Sequence, residues 1–235
     1  MEEQFSRTAL VIGEGAVKKL HGCRVAIFGV GGVGSFVAEA VARMGVGYIT
    51  LVDNDVVALS NLNRQLIALH STLGRYKVDV AKERILDINP SAHVEALKMF
   101  YLPEIADEFD VSHFDCIVDA IDTVSAKLEL ITRARSAGVP IISSMGTGNK
   151  LHPEKLELAD ISETSVCPLA RVMRRELKAR GIKHLPVVYS KEEPVPAAKD
   201  VFLPNGKKTV GSISFVPASA GLLIASKVLE IILAK

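Results

Sequence analysis

The sequence predicts an α/β fold, a doubly wound and mostly parallel sheet extended by antiparallel strands in its carboxyl-terminal third. Three observations carry this. A strand, a glycine-rich turn and a helix follow one another between Val25 and Ala42. Short apolar runs then alternate with helical periodicity as far as Ser144, and beyond Asn149 that strict alternation is lost.

Composition narrows the classes. The chain has 235 residues, 49% hydrophobic and 23% charged, enough for one substantial domain with a buried core. Its 28 basic residues balance 27 acidic ones, so neither disorder nor a globally cationic surface is indicated, and any nucleic-acid contact must be a local patch. The first residues, Met1 to Ser6, are acidic and polar rather than basic-then-apolar, so a cytoplasmic location is expected. Cys23, Cys116 and Cys167 lie far apart and suggest neither a disulfide framework nor a zinc knuckle.

Residues 8–20 read as a short helix with glycine interruptions, with Arg7 just ahead of it. Val25–Phe28 is the first strand, Gly29-Val30-Gly31-Gly32-Val33-Gly34 the turn, and helical spacing continues through Ala42. Such a Rossmann-like turn lets the backbone approach a phosphate, while the helix start offers free N–H groups and a positive dipole end. Tyr48–Val52 is the second strand, and Asp53 at its end is placed to hydrogen-bond ribose hydroxyls. Then comes Ser60-Asn61-Leu62-Asn63-Arg64-Gln65, polar and cationic, where a loop would face the ligand. A hydride-transfer enzyme has no need of that cluster. Chemistry at a triphosphate does, since Arg64 can neutralise phosphate charge and Asn61 can hold an oxygen.

Tyr76–Ile88 is a helix with Lys77 in its first turn, a poor place for a cation beside the dipole, which favours a ligand role. His93–Lys98 and Cys116–Asp119 are the third and fourth strands. Asp122 follows the fourth at the ligand edge, where a loop carboxylate suits magnesium; Asp122 or Thr123 could equally cap the helix Val124–Ala137. Ile141–Ser144 is the fifth strand, and a second glycine-rich turn follows.

In the last third, Leu156–Leu158, Val187–Tyr189 and Ser212–Phe215 read as short antiparallel strands. Between the first two lies the helix Pro168–Arg180, with proline at its first position. Arg171, Arg174, Arg175 and Lys178 share one of its faces by spacing, and that face is either solvated or a phosphate patch for nucleic acid. Cys167, at the helix start, is the cysteine where a dipole could lower the thiol pKa, though a passive residue is the favoured reading. Residues 190–209 are expected to be an exposed, mobile loop. Pro217–Ala234 is apolar but interrupted by Lys227 and Glu230, and reads as a buried terminal helix rather than a stable membrane span.

Gly29 to Gly34, Asp53-x-Asp55, Ser60 to Gln65, Lys77 and Asp122, in that order, resemble the ubiquitin-activating-enzyme-like adenylating proteins, whose bacterial members include ThiF and MoeB. The resemblance implies that Gly29, Gly31, Gly32, Gly34, Asp53, Asp55, Asn61, Arg64 and Lys77 form an ATP site and that Asp122 holds Mg2+. It implies further that Arg7 reaches the ATP of a partner subunit in a homodimer. The paired Cys-x-x-Cys zinc motifs of many such members are missing. The segments SMGTGNKLHPEKLELADISET, CPLARVMRRELK and GSISFVPASAGLL are similar to the tRNA threonylcarbamoyladenosine dehydratase branch. One adenylating domain over residues 1–235 is then expected, with a nucleotide-binding core at 1–148 and a substrate-side extension at 149–235.

That branch implies a tRNA substrate whose threonyl carboxylate is activated by ATP and closed into a ring, with Arg7, Arg64, Lys77 and Asp122 as the catalytic groups. It also admits a sulfur-relay protein as partner. The rival within the same chemistry is adenylation of a ubiquitin-like sulfur carrier. A nicotinamide-dependent oxidoreductase would leave Arg64, Lys77 and Asp122 idle.

Overall fold

The structure, a computed structural model, describes residues 2–196, 198–199, 201–202 and 209–234. Seven strands form one sheet: β1 Arg24–Phe28, β2 Tyr48–Val52, β3 His93–Leu97, β4 Cys116–Asp119, β5 Ile141–Ser144, β6 Leu156–Asp160 and β7 Pro186–Ser190. Their order is β3-β2-β1-β4-β5-β7-β6, and every pairing is parallel except β6 with β7. Strands β1, β2 and β4 are apolar runs buried almost throughout, as a sheet covered on both faces requires. One face is covered by α3 (Gly34–Met44), α4 (Lys77–Ile88) and α7 (Phe215–Ala234), the other by α5 (Val124–Ser136) and α6 (Pro168–Ala179). The strand order reverses between β1 and β4. A crevice therefore opens beyond their carboxyl ends, where doubly wound sheets take their ligands.

Several expectations change. The segment 8–20 is two helices, α1 Ser6–Ile12 and α2 Glu14–Gly22, because Gly13 at φ +86° takes a conformation that ends the first. Arg7 consequently lies inside α1 rather than ahead of it. Strand β7 runs parallel to β5, so only β6 is antiparallel. Residues 212–214 are not a strand, and Phe215 already begins α7. Side chains satisfy that backbone instead: the Ser212 carbonyl accepts from Asn63 Nδ2 at 3.0 Å, and the Gly211 amide donates to Asn149 Oδ1 at 2.7 Å.

The stretch 190–209 begins pinned, not mobile. Glu192 is buried, and its carboxylate accepts the amides of Leu151 and His152 at 2.9 Å while its carbonyl accepts from Lys150 Nζ. Residues 197, 200 and 203–208 of that stretch lie outside the described residues. Helix α7 is long and apolar enough by composition to cross a membrane, yet Val216, Ala220, Ile224, Val228 and Ile232 are buried in the core. Gly221 lets it approach α3 closely, since a Cβ there would stand 2.6 Å from the Val33 carbonyl oxygen.

Candidate active site

The crevice is a cleft of about 490 Å³ built from several separate stretches. Its floor is the glycine turn. Gly29 holds φ +87°, and a Cβ on it would meet the Ala120 carbonyl oxygen at 2.5 Å; a Cβ on Gly34 would lie 1.7 Å from the Gly29 carbonyl oxygen. These two glycines let the turn pack on itself and on the end of β4. Gly34 is not among the cleft-lining residues, so its place is in the packing of the turn rather than at the cleft surface. Gly31 and Gly32 do line the cleft, and among the described residues the amides of Gly31, Gly32 and Val33 have no hydrogen-bond partner. Free amides at a helix start form an anion site.

The wall after β2 is acidic and cationic together. Asp53 accepts the Val30 amide on Oδ2 at 2.7 Å and the Asp55 amide on Oδ1 at 2.8 Å, fastening the glycine turn to the following loop. Asp55 Oδ2 pairs with Lys77 Nζ at 2.6 Å, and Lys77, only 5% exposed, lines the cleft. This pairing explains how a lysine is tolerated in the first turn of α4, where the dipole disfavours it. An ammonium carries three donors, so the pairing leaves capacity for a ligand. Arg64 is fixed through Nη1 to the Ser60 carbonyl and Asn63 Oδ1, both at 2.9 Å, leaving Nε and Nη2 without a partner among the described residues. Asn61 Oδ1 accepts the Ala58 amide at 3.1 Å.

Asp122 stands exposed on the opposite rim. Neither it nor Thr123 caps α5 with its side chain; the Thr123 hydroxyl turns instead to Asp122 Oδ1 at 3.3 Å. No group of three or more His, Cys, Asp or Glu residues suited to a metal occurs among the described residues. Asp122 is a carboxylate of the kind Mg2+ takes, one or two such groups with phosphate and water completing its octahedron, and Asp53 and Asp55 line the same cleft.

The remaining predicted residues lie away from the cleft. Arg7 is exposed on α1 and does not line it. On α6 the predicted cationic face is split. Arg174 Nη1 is committed to the Thr164 carbonyl and hydroxyl, both at 2.6 Å, because its side chain lies inward of its neighbours. Arg175 pairs with Glu176 at 2.8 Å, whereas Arg171 and Lys178 are exposed and carry no ion pair among the described residues. Cys167 is 2% exposed at the α6 start, a buried residue packed near Gly146.

Residues 5–235 match the ThiF family. The chain belongs to that family. Among curated relatives of this ThiF-family chain, it is 45% identical to the tRNA threonylcarbamoyladenosine dehydratase of Bacillus subtilis (strain 168), over 97% of this chain and 94% of that protein. It is 36% identical to the tRNA threonylcarbamoyladenosine dehydratase of Escherichia coli (strain K12), over 75% of this chain and 66% of that one. A crystal structure of E. coli tRNA N6-threonylcarbamoyladenosine dehydratase with AMP superposes with a TM-score of 0.90 at 32% identity, covering 99% of this chain and 94% of that one. The corresponding ATP complex gives 0.88 at 33% identity with the same coverage.

The ThiF-family cleft also contains residues that sequence reasoning missed. Met99, Phe100 and Tyr101, just after β3, form one wall, and Thr147, Ser212 and Pro217 bring in the last third of the chain. Contacts between such distant segments leave no periodicity to read. Tyr101 is 4% exposed, its hydroxyl is buried without a hydrogen-bond partner among the described residues, and burial pushes its pKa up to about 12. The unfolded phenol titrates near 10, so the folded state is favoured fully below that pH and loses the advantage as pH rises through about 12. Tyr101→Phe should therefore be neutral to slightly stabilising at pH 7 and should flatten the fall in melting temperature between about pH 10 and 12. Thermal melts of both proteins across that range check it.

Proposed function

We propose that this chain is an ATP-dependent tRNA threonylcarbamoyladenosine dehydratase that adenylates the threonyl carboxylate and lets the substrate close on itself. The observation that carries the reading is the cleft itself: free helix-start amides, Arg64 and Lys77 face one rim carboxylate across the sheet's switch point. That is a site for a polyphosphate, with Asp53 beside the place a ribose would take. The 45% identity with a dehydratase across nearly the whole chain supports the substrate class.

A carboxylate is a poor acyl donor because oxide would have to leave. Attack of the carboxylate oxygen on the α-phosphate of ATP forms a mixed anhydride and releases pyrophosphate. A nucleophile within the same substrate then attacks the acyl carbon, and AMP leaves with the carboxylate oxygen, so the nucleoside loses one water overall. Proximity supplies much of the second step, and no enzyme nucleophile is needed. Gly32 and its neighbouring amides, Asn61, Arg64 and Lys77 hold the phosphates and meet the charge that develops on them. Asp122 would hold Mg2+, which supplies charge neutralisation on the phosphates.

Arg7 completes the set from a second copy. Arg7, Leu10 and Val11 share a face of α1, and Leu10 and Val11 are 87% and 84% exposed. An exposed apolar pair beside a cation remote from its own cleft supports a homodimer in which each α1 serves the other subunit. We read residues 1–148 as the nucleotide core and 149–235 as the substrate side, working in the cytoplasm. The tRNA-gripping face of α6 is Arg171, Arg175 and Lys178. Reversing these three charges should weaken tRNA binding by about 10-fold or more and reduce its salt dependence, leaving ATP binding unchanged. Filter binding at several salt concentrations measures this, and unaltered affinity would make the face merely solvated.

The deciding experiment is mass spectrometry of nucleosides from tRNA bearing threonylcarbamoyladenosine, after incubation with the protein, ATP and magnesium and mild digestion. Loss of one water only when ATP is present is expected. An unchanged nucleoside, with intact tRNA and folded protein, would overturn the reading.

A further inference from the structure

Below the cleft lies a charged pair that none of the phosphate-facing groups accounts for. The side chains of Lys127 on α5 and Asp119 at the end of β4 are both 0% exposed, with Nζ 2.9 Å from Asp119 Oδ2. The same ammonium donates to the Ser144 carbonyl at 2.8 Å and to the Ile121 carbonyl at 3.2 Å. Three oxygens thus use all three of its donors. Asp119 in turn accepts the Ile121 amide on Oδ1 at 3.2 Å and the Ser143 hydroxyl on Oδ2.

Desolvation offsets much of the attraction in a buried ion pair, so stability alone is a poor account of this one. Its partners point elsewhere. Ile121 immediately precedes Asp122, and Ser144 leads into the turn that brings Thr147 to the cleft; Ile121, Asp122, Thr123 and Thr147 all line it. We propose that Lys127 is a positioning residue: by gathering oxygens from the end of β4, the loop after it and the end of β5, it sets where the Asp122 carboxylate stands. The proposal rests on the reading of Asp122 as the carboxylate that faces magnesium-bound nucleotide.

Lys127→Met alone would leave Asp119 an uncompensated buried charge and destabilise the fold, so that lost nucleotide binding could not be told from lost stability. The informative protein is the double variant Asp119→Asn, Lys127→Met, neutral at both positions. Binding of a fluorescent ATP analogue is measured in magnesium and in EDTA, with melting temperature on the same samples. The wild type should bind more tightly in magnesium. The double variant should fold, keep its affinity in EDTA within about twofold, and lose about 10-fold or more of the magnesium-dependent gain, as disturbing a metal ligand's support does. A folded variant with the full gain would overturn the proposal and leave Lys127 purely structural. If the double variant does not fold, Ser143→Ala poses the same question while keeping both charges; a reduced gain supports the proposal and an unchanged gain overturns it. Wild-type protein that binds no nucleotide would remove the adenylation reading and this proposal together.

Discussion

Asp122→Ala should lower ATP consumption by about two to three orders of magnitude, the usual cost of removing one pre-placed electrostatic group. Its melting temperature should not move. The side chain is exposed on the cleft rim, and its one hydrogen bond among the described residues, from the Thr123 hydroxyl at 3.3 Å, is long and caps nothing. The contrast with Asp119 sharpens the test. Asp119→Ala would strand the wholly buried Lys127 and cost about 3–5 kcal/mol of stability, since breaking a buried pair leaves a charge without a partner. Pyrophosphate release and calorimetry on both variants separate the roles. A fully active Asp122→Ala protein would end the assignment of Asp122 to magnesium.

Gly34→Ala should prevent the native glycine turn from forming. The added methyl would lie 1.7 Å from the Gly29 carbonyl oxygen and 2.9 Å from its carbon, and both are backbone atoms at the end of β1. Gly29 has little room to move aside, because even a Cβ on it would meet the Ala120 carbonyl oxygen at 2.5 Å. A loss above about 4 kcal/mol and no measurable ATP binding are expected. Gly31→Ala is the matched control. Its nearest atom would be Gln65 Nε2 at 3.7 Å, an ordinary contact, so stability should change by less than about 1 kcal/mol. The methyl would nevertheless stand on the cleft surface where a phosphate approaches, so ATP affinity should fall while the fold survives. Equal stability of the two variants by denaturant titration would contradict the division between packing and ligand glycines.

Much of the architecture was legible because it is local. Apolar runs of strand length, 3.6-residue periodicity and the turn at residues 29–34 need only neighbours in the chain, and β1 to β5 appear where those signals put them. That Asp53, Asn61, Arg64, Lys77 and Asp122 meet at one cleft was legible for a similar reason, since the loops that carry them leave the sheet at its ligand edge. Other features depended on distant partners. Spacing put Arg174 on the cationic face with Arg171 and Lys178, but it could not show that Thr164 lies within reach to take it inward. Ser212 to Phe215 has the composition of a strand, but Asn63 takes the Ser212 carbonyl and Asn149 the amide of the preceding Gly211, contacts that spacing along the chain does not encode. Lys127 shares the apolar face of α5 with Leu130, Ile131 and Ala134, and a lysine on a buried stripe needs a partner, a signal that spacing alone does carry.

The doubly wound sheet, the glycine turn, the order of the groups that come to line the cleft and the family likeness are each written in residue types at short, fixed spacings. Tertiary structure alone decided which charges stay available to a ligand. Burial and pairing are properties of three-dimensional neighbours: Lys127 meets Asp119 in the core and is spent there, whereas the buried Lys77 meets an exposed Asp55 at the cleft, where Asp122 and Arg64 also keep atoms without a partner among the described residues.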